Sequence, residues 1–151
     1  MLIDFHTHLF PDRIAHRALD RVSKISGGQY HSDGTQKGTL ERMKEWGVDY
    51  AVTLHIATKS RQQEKINRFA LEIQQSSEKL FSFGSVFPDA DNAEEMVSKI
   101  KDSGLRGIKL HPEYQDFFLG NQRYFPLYDA IQQARLPLSI HAGWDPVGTL
   151  G

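Results

Sequence analysis

The chain has no cysteine among its 151 residues, which excludes disulfides, thiol nucleophiles and cysteine-based zinc sites. It has no excess of either charge: 18 lysines and arginines stand against 19 aspartates and glutamates. Without a basic stripe, non-specific nucleic-acid binding has no electrostatic support. No apolar run approaches the roughly 20 residues that span a bilayer. The start Met1-Leu2-Ile3-Asp4-Phe5-His6 lacks the basic region and long apolar segment of a secretory leader. A soluble, cytoplasmic protein with no membrane partner is therefore expected. There is no Gly-x-Ser-x-Gly elbow for a serine nucleophile. The glycines of residues 27–38 are not followed by Lys-Ser or Lys-Thr, so a phosphate-binding loop is unsupported.

What is present is an alternation of strand-like and helix-like segments. Residues 2–5 form an apolar run that predicts strand one. Helix one is expected over 11–26, opening at Pro11, with Ile14, Ala18, Val22 and Ile25 as its apolar stripe and Gly27-Gly28 as its stop. Residues 27–38 predict a loop, 39–46 a short helix and 48–54 strand two. Helical spacing of Ile66, Phe69, Ala70 and Ile73 predicts a helix over 61–76. Strand three is expected at 80–87. Asp91 followed three residues later by Glu94 suggests a capping box for a helix that Gly104 ends. Strand four is expected at 105–110, a loop at 111–124, a helix from Pro126 to Arg135 and strand five at 137–141. Five strands with helices between them predict one α/β domain over 1–151: a parallel sheet with right-handed crossovers, as in part of a (β/α) barrel. No internal repeat or linker divides it.

The chemistry-bearing residues fall at strand ends. His6 and His8 lie two apart at the end of strand one, so strand alternation sends both to one side. Two imidazoles that close suit a divalent metal. His141 ends strand five, and histidines at the C-terminal ends of separate parallel strands are how a barrel assembles a metal site. The competing reading makes them ordinary polar residues at strand ends. Lys109 and His111 share one parity on strand four. Lys109 is open to three readings: a carboxylated bridge between metals, a substrate contact, or a lysine paired with a carboxylate at the barrel mouth. His111 faces substrate or anchors the following loop, where Tyr114 and Gln115 are the polar substrate candidates and Phe117 and Phe118 are packing residues. Asp4 shares parity with His6 and is a candidate second-layer acceptor for an imidazole, or else a satisfied buried carboxylate. His55, ending strand two, is with Asp4 a candidate second-layer residue that lines the cleft, or else a hydrogen-bonded structural histidine. His16 and His31 read as surface and loop residues.

Three segments, Ile3-Asp4-Phe5-His6-Thr7-His8-Leu9, Gly107-Ile108-Lys109-Leu110-His111-Pro112 and Ile140-His141-Ala142-Gly143, together resemble the amidohydrolase superfamily. The likeness is to its amidohydrolase-related group of TIM-barrel metal-dependent hydrolases and decarboxylases. It implies an incomplete TIM barrel that stops after strand five, with His6, His8 and His141 as ligands of a divalent metal, zinc being expected. The family's remaining groups are a histidine on strand six and an aspartate on strand eight, so the acid/base residues are expected beyond Gly151. Asp145, four residues past His141, is not a substitute for that aspartate. The implied activity is hydrolysis of a small carbonyl-containing substrate, with decarboxylation of an unsaturated carboxylic acid as its close variant. An inactive metal-binding half-barrel is the non-enzymatic alternative. TatD-like nucleases share the starting His-x-His but place a glutamate where this chain has Lys109. Five strands alone would leave strands one and five as open edges, so a second copy or a further C-terminal portion is expected to cover the open side.

Overall fold

The computed structural model describes residues 1–142. Five strands, β1 (Ile3–Thr7), β2 (Tyr50–Leu54), β3 (Leu80–Ser85), β4 (Gly107–Leu110) and β5 (Leu138–Ile140), form one parallel sheet in the order β1-β2-β3-β4-β5. Helices α1 (Asp12–Ser26), α2 (Gln36–Trp46), α3 (Gln63–Gln75), α4 (Ala93–Ser103), α5 (Pro112–Gln115) and α6 (Phe125–Gln133) lie between them. Five parallel strands with intervening helices make a curled half-barrel, the parallel sheet that the alternation predicts and the incomplete TIM barrel that the family resemblance implies.

The two faces of the sheet are chemically distinct. Toward the helices, Ala51 and Leu80 pack with Leu9, Met43 and Ile73. Further along, Ile108 and Leu110 pack with Met96, Val97, Ile100, Leu127 and Ile131. Burying such aliphatic side chains is the main stabilising term, about 1.5–3 kcal/mol each. Toward the barrel axis, Val52, Leu54, Phe81 and Phe83 form a smaller cluster, and Phe5 meets Phe83 edge-on at 5.9 Å. Gly107 sits beneath the same ring, and a Cβ there would stand 2.5–2.7 Å from three Phe83 atoms. Gly107→Ala is therefore expected to destabilise the fold by about 1–3 kcal/mol through overpacking, read as a lower urea midpoint at unchanged slope; a wild-type midpoint would show that Phe83 yields freely. β1 and β5 are the outer strands of the described sheet, and on β1 Ile3 and Phe5 are 45% and 59% exposed.

Local chemistry explains where the elements depart from expectation. α2 starts at Gln36 rather than 39, because Thr35 caps it by accepting from the Gly38 N–H at 3.0 Å. Asp91 does not cap α4: Asn92 holds that position without a side-chain cap bond, and its side-chain Oδ1 instead accepts from Gln63 Nε2. β2 begins at Tyr50, since the Val48 N–H closes the end of α2 on the Met43 carbonyl and the Asp49 carboxylate takes the Leu2 N–H. The expected loop 111–124 contains α5 and a 3₁₀ turn at Gln122–Tyr124. Gly27 and Gly104 do end their helices, both in the left-handed conformation. Among the described residues no helix is long and apolar enough to cross a membrane.

Candidate metal centre

β1 carries an irregularity that sets the site. Its register advances three residues, from Asp4 to Thr7, while β2 advances two, from Ala51 to Thr53. The extra residue is accommodated as the Asp4 carboxylate accepts the His6 backbone N–H at 2.9 Å, a local bond that competes with the ladder. Asp4 therefore does not orient an imidazole, and the parity it shares with His6 is broken by the bulge. Beyond it, His6 and His8 converge, their Nε2 atoms 3.1 Å apart.

The tautomer of His8 is fixed by the fold. Its Nδ1 lies 2.9 Å from the Leu54 carbonyl oxygen. A carbonyl only accepts, so Nδ1 carries the proton and Nε2 keeps its lone pair. Burial pushes the His8 pKa down to about 4, against the opposing pull of the Leu54 carbonyl. Water at the exposed edge of the residue tempers that shift. Burial, then the positive charges of Lys109 and His141, lower the pKa of His6, while Asp4 raises it. Both rings are thus neutral donors at pH 7. Ligands each about 2.0–2.1 Å from one ion stand about 3 Å from each other, so this pair fits a divalent metal. Among the described residues, no cluster of three or more His, Asp or Glu side chains is drawn together in this way. His141 is held slightly apart, stacked face to face on His111 at 4.2 Å.

β4 supplies the floor. Ser85 pairs with Lys109 and Lys109 with Ser139 in register, which puts Lys109 on the axis side with Phe83 and Gly107. Lys109 is 1% exposed, and burial holds its pKa below the usual lysine value. Among the described residues no carboxylate lies within ion-pair reach of it, so the lysine–carboxylate pair is not formed there. His111 is buried and caps α5, its Nδ1 accepting from the Tyr114 N–H at 3.4 Å. The Tyr114 ring covers its other face at 3.8 Å.

Two of the expected site residues serve the scaffold instead. Gln115 is buried, accepts the His111 N–H, and donates to the Ala57 and Val86 carbonyls. It ties three strand ends together and does not turn toward substrate. His55 lies on the helix side with Thr53, bonded to the Thr53 hydroxyl at 3.2 Å and edge-on to Phe69 of α3. It neither lines the cleft nor bonds a candidate ligand. The Leu54 carbonyl that orients His8 has no side-chain signature, so no sequence pattern points to it. Gly143 and Asp145 lie outside the described residues.

A family model for amidohydrolases matches residues 3–150. The chain belongs to the amidohydrolase family. No curated protein matches it. Among solved structures, this amidohydrolase chain is similar to an amidohydrolase II, with 20% identity and a TM-score of 0.73 over 97% of this chain and 52% of that one. It is also similar to the 5-carboxyvanillate decarboxylase of Sphingomonas paucimobilis, at 15% identity and a TM-score of 0.66 over 93% and 51% of the two chains. The 5-carboxyvanillate decarboxylase of Novosphingobium aromaticivorans, complexed with manganese, shares 15% identity and a TM-score of 0.68 over 93% and 50%. The chain spans about half the length of these structures.

Proposed function

We propose that this amidohydrolase chain contributes the metal-holding part of a divalent-metal-dependent hydrolase acting on a small carbonyl-containing substrate. The observation that carries this reading is the His6–His8 pair, with Nε2 atoms 3.1 Å apart and His8 locked by the Leu54 carbonyl. His6, His8 and His141 are the residues that would hold the ion, and zinc suits three imidazoles. When bound, such an ion supplies Lewis-acid polarisation and makes water acidic enough to attack at neutral pH. The chain's own residues bind and orient: neutral His6 and His8 present lone pairs, and Lys109 presents a buried cation to whatever enters the axis side. The groups that move the proton are assigned to residues outside this chain. The open β1 edge would be covered by a second copy or by further barrel units.

Lys109 favours a second reading, decarboxylation of an unsaturated carboxylic acid. A buried cation without a partnering carboxylate among the described residues is costly unless an anion joins it. The test is a screen of the zinc- and manganese-loaded chain, together with the second copy or barrel units that supply the proton-moving groups, against lactones, amides, esters and unsaturated carboxylic acids, following both acid release and carbon dioxide. Turnover of a carboxylic acid should fall at least about tenfold in kcat/KM for Lys109→Met, the loss of one charge-assisted contact worth 1.5–3 kcal/mol. Unchanged kcat/KM would remove Lys109 from substrate binding. Full turnover by His6→Ala would remove the metal reading.

A further inference from the structure

At the mouth of the half-barrel three rings lie in one stack. His111 is sandwiched between Tyr114, at 3.8 Å and 4° between planes, and His141, at 4.2 Å and 6°. The two histidines arrive side by side because Leu110 pairs with Ile140 in the parallel ladder, and the His141 N–H donates to the Leu110 carbonyl at 3.1 Å. Their surroundings differ. His111 is 3% exposed, and its N–H is fixed by the Gln115 side chain. Gln115 in turn is anchored to the Ala57 and Val86 backbone at the ends of β2 and β3. His141 follows a three-residue edge strand whose residues are only half-buried. A flat neighbour fixed at stacking distance restricts the rotamers open to the ring beside it.

We propose that His111 is a positioning residue: its ring, backed by Tyr114 and fixed through Gln115, sets the plane of the His141 imidazole for joining His6 and His8 on a divalent ion. The inference rests on the reading of those three histidines as the metal-holding set. It assigns His111 a task distinct from contacting substrate. The restraint runs from β2 and β3 through Gln115 and His111 to the end of β5, so the two edges of the site are kept in one frame by a single glutamine.

Two substitutions isolate the stack. His111→Phe and His111→Leu both fill the site, and both remove the acceptor for the Tyr114 N–H, but only phenylalanine keeps an aromatic face. The full chain is titrated with Co²⁺ against a chromophoric chelator, its visible spectrum is recorded, and the His141 ring resonances are followed by NMR in metal-free protein. His111→Leu is expected to weaken Co²⁺ binding about 10- to 100-fold, the usual cost of losing an orienting group beside a ligand, and to relieve the ring-current shift of His141. His111→Phe should stay within a few fold of wild type and keep the shift. Wild-type affinity in His111→Leu, or equal weakening in both variants with intact circular dichroism, would overturn the inference alone. A wild-type chain that binds no Co²⁺, and that His6→Ala leaves unchanged, would overturn it together with its premise.

Discussion

Replacing His8 with alanine should strip the chain of its divalent metal. Native mass spectrometry is expected to show about one zinc per wild-type chain and none in His8→Ala or His6→Ala, and the affinity loss should exceed the roughly 10- to 100-fold typical of residues that only orient a ligand. Two features make His8 the more demanding position. Its Nδ1–H is committed to the Leu54 carbonyl, so Nε2 is presented without a choice of tautomer. Its pKa, pushed down to about 4 chiefly by burial, also keeps the ring unprotonated in mild acid. Protons should therefore compete with the metal at His8 only at a lower pH than they would at an imidazole of ordinary pKa near 6.5. Full stoichiometry in both alanine variants would sink the ligand assignment.

The second large effect is on acid stability, and it belongs to His55. This ring is buried against Phe69 and the Thr53 hydroxyl; burial, followed by the charge of His8, pushes its pKa down to about 3. The unfolded chain takes up that proton near pH 6.5 and the folded chain resists it. Stability is thus fully present above pH 6.5, falls as the pH drops below it, and stops falling from this source near pH 3. A gap of this width, at about 1.4 kcal/mol per pH unit, is of order 5 kcal/mol. That is comparable with the whole stability of many domains. His55→Gln keeps a hydrogen-bonding group beside Thr53 and cannot titrate. Urea unfolding midpoints between pH 7 and 3.5 should fall steeply in the wild type and markedly less in the variant. Parallel profiles would mean that His55 is protonated without consequence.

Much of this site could be reached from the sequence because strand alternation is a strict rule where a ladder is regular. It gives Lys109 the parity of Gly107, and the ladder pairs those two residues with Ser85 and Phe83; His111 lies just past the end of β4. The same rule misled at Asp4, where one bulged residue restarts the count and the carboxylate turns to a backbone N–H. At His55 it leaves two readings open, because parity says which residues share a face but not whether that face meets the helices or the axis; the bond to Thr53 matches the structural one. From sequence Gln115 is only a polar substrate candidate, because the carbonyls it bonds, those of Ala57 and Val86, lie 58 and 29 residues away and carry no side-chain signature. The general outline, alternating strands and helices with glycine at helix ends, survived because each of those signals is local. What escaped detection was long-range pairing with the backbone.

The strand order β1-β2-β3-β4-β5 has a consequence for how the protein is made. Every strand pairs with its immediate predecessor in the chain, so no segment has to wait for a distant partner. A ribosome delivering the chain from its N-terminus at about 5–20 residues per second can add one strand–helix unit at a time onto the sheet already laid down. Each addition covers the previous edge and exposes a new one. The growing tip is therefore always a fresh template, while the β1 edge stands open from the first pairing onward, so a chaperone would have two strand edges to shield during synthesis.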